Sequence, residues 1–339
     1  MHGRDELVAD LTGRISVRRP TVLVGPRRYG KTSLLGRVAA DLEAGVTVVA
    51  VDLYELRSWA DLAGRLGAAL GAVTGPRRAA LDRIAASLGV HLGVVSATFS
   101  RPPRPEAEST AERLLDVVVD HAGSTPTVMV FDEFSSIRRV DGAAGFLRTK
   151  LQHHYQEIGL LFAGSEPSTM RMLFEQSDQP FYGQADLVRV PELSIAAFTE
   201  IVTAGFAGSP PAGLAANIHS FTRGHPQRSM QIADAAWQAV EDGSDRPWAD
   251  ALAAAREQSA PGNETRFSAA TPADQAVLRL VASGEPLFGR RAELLALTRS
   301  SAQHGRDRLI DAGQIAEDGG VFTVVDPLYG DWLARRFPL

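Results

Sequence analysis

Residues 25–33 have the types and spacing of a loop that binds phosphate. They read Gly25-Pro26-Arg27-Arg28-Tyr29-Gly30-Lys31-Thr32-Ser33, a complete G-x-x-x-x-G-K-[ST] pattern. In such a loop the backbone N–H groups surround the phosphates, the lysine reaches the β- and γ-phosphates, and the hydroxyl binds Mg²⁺. The chain contains only two lysines among 35 basic residues, and a lysine is a compact point charge where arginine is a broad fork. The pattern predicts a nucleoside triphosphate bound by all nine residues.

Two carboxylates follow a second apolar run, 128–131, about a hundred residues downstream. We expect Asp132 to hold Mg²⁺ together with the Thr32 hydroxyl, because Mg²⁺ prefers oxygen ligands. Glu133 would then orient and deprotonate an attacking water. Ser165, after a further apolar run, could contact the γ-phosphate or that water, although a plain turn serine is an equal alternative. Glu133, Lys31 and Ser165 are the predicted catalytic residues.

Alternating strands and helices must position these groups. Apolar runs predict strands at 21–24, 46–53, 127–131, 158–163 and 187–190, and residues 91–99 are a candidate for another. Helical patterns separate them, which favours an α/β fold with a parallel sheet covered on both faces.

From residue 191 onward the pattern changes to helices. These are predicted at 194–206, 211–222 and 226–241, and a polar stretch with proline and glycine at 259–265 predicts a linker. Helices at 272–283, 290–297 and 300–312 and short strands at 314–316 and 321–325 then predict a winged helix-turn-helix. We therefore expect three domains, at residues 1–192, 193–262 and 263–339.

Composition narrows the class of partner. The formal charge of −5 gives no global basic field for nucleic acid. The predicted recognition helix carries Arg299, Arg306 and Arg308, which could contact double-stranded DNA. Residues 266–339 nevertheless hold nine arginines and nine acidic residues, so a protein partner is an equal alternative. The absence of cysteine, of a signal peptide and of a long apolar run predicts a cytoplasmic protein with no membrane contact.

Other nucleotide-binding classes lack their motifs here. The guanine-recognition motif Asn-Lys-x-Asp is absent, since the second lysine, Lys150, lies in Arg-Thr-Lys-Leu. A dinucleotide fold would need G-x-G-x-x-G after the first strand, and that is absent as well.

Several motifs in order make the sequence similar to a known family, the archaeal-type ATPases of the STAND branch of AAA+-like P-loop ATPases. The similarity rests on Gly3-Arg4-Asp5-Glu6-Leu7, the 25–33 loop, Phe131-Asp132-Glu133-Phe134, Gly164-Ser165, Pro180-Phe181-Tyr182-Gly183, Gly224-His225-Pro226, and Asp326-Pro327-Leu328-Tyr329 with Trp332. The resemblance implies a sheet ordered 5-1-4-3-2, a helical lid and a C-terminal winged helix. It also implies Arg4 near the adenine and Pro226 approaching the nucleotide from the lid.

One residue departs from this pattern. Gln184 follows the Tyr-Gly pair where similar sequences often have an arginine. The arginine that stabilises the transition state would then be Arg171, Arg189, Arg223 or one from a neighbouring subunit.

These features together favour a slow, partner-stimulated ATP hydrolase that requires Mg²⁺ and acts as a molecular switch. Its nucleotide state would control a winged helix that binds DNA or protein. Two alternatives are a DNA-binding regulator that senses ATP without hydrolysing it and a protein scaffold. We also expect a homo-oligomer whose formation depends on nucleotide.

Overall fold

The computed structural model describes residues 3–42, 45–92, 104–207 and 209–339. They form two compact units. The N-terminal unit comprises Arg4–Gly25 and Lys31–Val190, and the C-terminal unit comprises Gly3, Pro26–Gly30 and Pro191–Leu339. The predicted three-domain division stays a prediction.

A five-stranded parallel sheet forms the centre of the N-terminal unit. Its strands lie in the order β2-β3-β4-β1-β5, which is the expected order 5-1-4-3-2 read from the other edge. The strands are β1 (Thr21–Val24), β2 (Thr47–Asp52), β3 (Thr127–Asp132), β4 (Ile158–Gly164) and β5 (Asp186–Arg189). The inner strands β1, β3 and β4 are almost wholly buried, which explains why they read as unbroken apolar runs.

Seven helices complete this unit within the described residues: α1 (Asp5–Ser16), α2 (Lys31–Leu42), α3 (Trp59–Ala72), α4 (Gly75–Ser87), α5 (Arg104–Ala122), α6 (Ala143–Leu151) and α7 (Pro167–Glu175). A 3-10 helix spans Phe134–Arg139. Helix α2 contacts β3 and β4, and α3 packs on β2 and α5. The α/β fold class is confirmed. The candidate strand at 91–99 lies mostly outside the described residues.

The C-terminal unit begins with four helices, α8 (Ile195–Gly205), α9 (Leu214–Thr222), α10 (Pro226–Glu241) and α11 (Pro247–Ser268). The prediction of a linker at 259–265 is wrong, because α11 runs through it with Pro261 inside the helix. Helix α11 buries Asn263, which lies within that stretch, and Phe267, which lies just beyond it. Tertiary packing has therefore overridden the helix-breaking tendency of proline and glycine.

The rest of this unit has helices α12 (Pro272–Ala282), α13 (Arg290–Leu294) and α14 (Arg299–Asp311), strands β6 (Ile315–Asp318) and β7 (Val321–Val324), and helix α15 (Pro327–Arg336). The strands pair antiparallel. Gly305 lets α14 approach α12, since a Cβ there would lie 3.2 Å from Val277 Cγ2. This is the order of elements expected for a winged helix, and that identification stays a prediction. Helix α15 was not predicted.

None of the helices in the described parts of the chain is both long and apolar enough to cross a membrane.

Candidate nucleotide-binding site

The 25–33 loop lies between a buried strand and a helix. It leaves the end of β1 and enters α2 at Lys31. Gly25 passes close to Val190, where an added Cβ would lie 3.2 Å from the valine Cβ, so a larger residue would displace β1 or its neighbour. Gly30 and Arg28 have φ angles of +82° and +69°. The first suits glycine, whereas the second holds an arginine in the left-handed region, which indicates local strain in the loop.

Lys31 is buried at the start of α2. Its side chain is 5% exposed, and Nζ donates a hydrogen bond to the Gly25 carbonyl oxygen at 2.8 Å. The ammonium is therefore held against its own loop, where the partial positive charge of the helix N-terminus also favours an anion.

Thr32 and Asp132 come together across 100 residues of sequence. Thr32 Oγ1 donates to Asp132 Oδ2 at 2.7 Å. Burial raises the pKa of Asp132, and the nearby carboxylates of Glu133 and Asp52 raise it further. A divalent cation would offset this cost, and both side chains offer the oxygen ligands that Mg²⁺ prefers. The two residues therefore fit the predicted metal.

Glu133 has a strained backbone and a fixed side chain. Its φ angle is +50°, in the region that non-glycine residues seldom adopt. Its Oε2 accepts a hydrogen bond from Ser165 Oγ at 2.6 Å. The contact of Ser165 with the γ-phosphate or the attacking water stays a prediction.

An aromatic cluster lies beside this turn and explains how it is kept in place. Phe134, next to Glu133, is fully buried and its ring lies 4.7 Å from that of Phe162. The cluster consists of Phe131, Phe134, Phe162, Phe174 and Phe181. Such packing can support the unfavourable φ angle at the adjacent residue.

Gln184 has a partner that the sequence did not reveal. Its Oε1 accepts a hydrogen bond from the Tyr155 hydroxyl. Burial raises the pKa of Tyr155 to about 12, so the hydroxyl stays protonated and can donate. The position where an arginine was expected thus holds an amide bound within the N-terminal unit.

The candidate arginines for the transition state lie in different surroundings. Arg223 donates to the Val324 carbonyl oxygen at 3.0 Å, and Arg171 and Arg189 are exposed.

The middle of the phosphate loop packs within the C-terminal unit. The Tyr29 ring is buried and meets the His225 ring edge-on at 5.0 Å. His225 Nδ1 accepts a hydrogen bond from the Arg228 backbone N–H and so caps α10, in which Pro226 is the first residue. Burial lowers the pKa of His225 to about 4, so the ring is neutral near pH 7.

The remaining predicted nucleotide ligands differ in burial. Arg27 and Ser33 are exposed, and Arg4 is buried at the start of α1. The adenine contact of Arg4 and the approach of Pro226 stay predictions.

The three arginines predicted to contact DNA differ in their surroundings. Arg308 Nη2 lies 2.7 Å from Asp274 Oδ1, and Arg306 Nη2 lies 2.7 Å from Asp307 Oδ1. Arg299 lies over the Phe288 ring at 5.3 Å. Two of the three are therefore bound to carboxylates of their own unit.

Comparison with known proteins supports the assignment of the fold. Residues 14–173 match the model of a family described as an AAA domain. No curated protein matches the sequence.

Solved structures that are similar over nearly the whole chain include the following three. The Walker-type ATPase PABY2304 of Pyrococcus abyssi has a TM-score of 0.70 at 18% identity, over 98% of this chain and 96% of that one. The Orc2 protein of Aeropyrum pernix, solved as ADPNP–ADP complexes, has a TM-score of 0.60 at 16% identity, over 98% and 91%. The Orc1 protein of the same organism, solved with DNA, has a TM-score of 0.53 at 13% identity, over 100% and 93%. The chain has the α/β fold of the P-loop nucleoside triphosphatases, with a helical C-terminal region.

Proposed function

We propose that this protein binds ATP with Mg²⁺ and hydrolyses it slowly as a molecular switch. The observation that carries the proposal is the group formed by Lys31, Thr32, Asp132, Glu133 and Ser165, with Thr32 2.7 Å from Asp132 and Ser165 2.6 Å from Glu133. Each side chain has the chemistry that its place in phosphoryl transfer requires.

Lys31 would leave the Gly25 carbonyl and bind the β- and γ-phosphates, because charged phosphate oxygens bind an ammonium more strongly than a neutral carbonyl does. Thr32 and Asp132 would hold Mg²⁺, which neutralises charge on the phosphate oxygens. Glu133 would orient a water and accept its proton as the water oxygen bonds to the γ-phosphorus and the bond to the β–γ bridging oxygen breaks. The products are ADP and phosphate.

Slow turnover follows from two features of the N-terminal unit. The Glu133 carboxylate is already bound by Ser165, so that hydrogen bond must be kept or rearranged as the water binds. Gln184 carries no charge to stabilise the transition state, and it is occupied by Tyr155. A partner that supplies a cation or moves Ser165 would raise the rate.

The partner would bind the C-terminal part of the chain, the predicted winged helix. Arg299, Ser300, Gln303 and His304 are exposed on the first half of α14, which suits double-stranded DNA. Asp307 and Asp311 are exposed on its second half, which suits a protein surface. Self-association on binding ATP is a further part of this proposal. An ATP sensor that does not hydrolyse ATP is the alternative to it.

The test is phosphate release from Mg-ATP, with and without duplex DNA, by the native chain and by Glu133→Gln. We expect the variant to bind ATP but to lose at least about 100-fold in turnover, the usual effect of removing a general base. Glu166→Gln is the matched control, because Glu166 lies near Ser165 in sequence but binds Thr169. Equal turnover by native and Glu133→Gln protein would overturn the assigned base, whereas binding without turnover would favour the ATP sensor.

A further inference from the structure

Asp326 is a buried carboxylate at the start of α15 in the C-terminal unit. Its Oδ1 accepts a hydrogen bond from the Leu328 backbone N–H at 3.1 Å, which caps the helix. Arg228 of α10 binds it through both ends of the guanidinium, at 2.9 Å from Nε to Oδ1 and 2.5 Å from Nη2 to Oδ2. Both residues are at most 8% exposed, so this pair is a fixed part of the unit.

A second arginine reaches the same carboxylate from the phosphate loop. Arg28 Nη1 lies 4.0 Å from Asp326 Oδ2, and the Arg28 side chain is 57% exposed. An ion pair this long and this exposed is weak and can be released at little cost. Arg28 also has the strained φ angle of the loop, and Tyr29 beside it packs on His225. The loop thus touches Asp326 through a contact that can open.

Positive side chains outnumber negative ones around Asp326. The half-buried guanidinium of Arg266 lies over the ring of Tyr329 at 4.3 Å and acts on Asp326 electrostatically. Three arginines therefore share one carboxylate, and His225 adds no charge near pH 7 because its pKa is about 4. An excess of positive charge in a partly buried region attracts anions. A phosphate can replace a carboxylate here, because arginine forms the same paired hydrogen bonds with both anions.

We propose that Asp326 competes with the phosphates of a bound nucleotide for Arg28 of the phosphate loop. The inference rests on the proposed function, and it identifies the residue through which the nucleotide acts on the C-terminal unit. With no nucleotide, Asp326 draws Arg28 toward α15. A triphosphate draws Arg28 back to the loop and leaves Asp326 paired with Arg228 alone. Coupling between two ligands is reciprocal. A partner that moves Asp326 away from Arg28 must therefore tighten nucleotide binding by the same factor by which the nucleotide tightens binding of that partner.

The test measures the dissociation constant of a fluorescent, non-hydrolysable ATP analogue with Mg²⁺. Asp326→Asn removes the competing charge and retains a side chain that can cap α15. We expect it to bind the analogue about threefold to fivefold more tightly than the native chain. Asp331→Asn is the control, since Asp331 also lies on α15 and pairs with Arg256 at 2.6 Å, but it has no contact with Arg28. It should change the constant less than twofold.

A second variant removes the objection that Asp326→Asn raises the net charge or unfolds the chain. Asp326→Asn with Arg228→Gln replaces the buried pair by two amides, so the sum of the two charges stays at zero. It should still bind the analogue at least threefold more tightly, because Arg28 has lost its competitor. If the native chain binds the analogue and neither variant binds it more tightly, the competition is wrong and the proposed function stands. If none of the proteins binds it, the proposed function fails as well.

Discussion

The two lysines of the chain make opposite uses of the same charge. Lys31 is buried and has its ammonium against a backbone carbonyl of the phosphate loop. Lys150 lies on α6 and pairs with Glu112 at 2.7 Å and Asp116 at 3.1 Å. The first is placed to exchange its carbonyl partner for a phosphate, and the second is already neutralised.

Replacing each lysine by alanine should therefore separate binding from structure. Lys31→Ala should weaken ATP binding roughly 100-fold, because truncating one side of a buried, charged hydrogen bond costs several kcal/mol. Lys150→Ala should change ATP binding less than twofold and lower the melting temperature slightly. Titration with a fluorescent ATP analogue and a thermal melt measure both. Similar losses of affinity in the two variants would mean that Lys31 is not the phosphate ligand.

The site residues that could be predicted are those that follow one another in sequence. The 25–33 loop and the Asp132–Glu133 pair carry their chemistry in a local pattern, because a strand, a loop and a helix already fix their geometry. Ser165 was found from its place after a strand, but its contact with Glu133 depends on how β3 and β4 are joined in the sheet. Tyr155 and Arg228 were missed, since their partners lie 29 and 98 residues away and no local pattern indicates them.

At the scale of elements, the helix cap formed by His225 predicts how stability depends on pH. The pKa of His225 is about 4 in the folded chain and 6.5 is the ordinary value. Between these values the unfolded chain binds more protons, so stability falls as the pH is lowered from about 6.5 and falls no further below about 4. The difference between these two pKa values, which burial causes, corresponds to a loss of roughly 3 kcal/mol.

The measurement is the free energy of unfolding by urea between pH 4 and pH 7. His225→Asn keeps a side chain that can cap α10 but cannot titrate, so its stability should fall less steeply on acidification. His153→Asn removes an exposed histidine and should retain the native slope. A native slope in His225→Asn would assign the pH dependence to other groups.

The elements themselves were predictable to different degrees. Strands of the sheet were found because burial on both faces demands continuous apolar runs, as in Val128–Phe131. Proline and glycine usually break helices, so the 259–265 segment predicts a linker. Helix α11 continues there because it packs against α10 and α15. Helix α15 was missed although Asp326 and Pro327 form a typical helix start, with the carboxylate accepting from Leu328 N–H.

At the scale of the whole molecule, the charge of −5 limits how the protein can bind DNA. A chain with this charge gains little from non-specific attraction to phosphates, so any duplex binding must come from a local surface. On α14, Arg306 and Arg308 are held by Asp307 and Asp274, which leaves Arg299 beside the exposed Ser300, Gln303 and His304. We expect weak binding whose dependence on salt reflects only a few phosphate contacts.

Two substitutions distinguish a DNA surface from a structural one. Arg299→Ala should weaken duplex binding at least about threefold and leave the melting temperature unchanged, because its exposed guanidinium lies over the Phe288 ring at the surface. Arg308→Ala should change duplex binding little but lower stability by about 1 kcal/mol, because the buried Asp274 would lose an arginine and keep the Thr271 hydroxyl. Fluorescence anisotropy with a duplex at about 50 and 200 mM salt, beside a thermal melt, reports both effects. If the native chain shows no duplex binding at the lower salt, the DNA surface on α14 is wrong and the alternative of a protein partner is favoured.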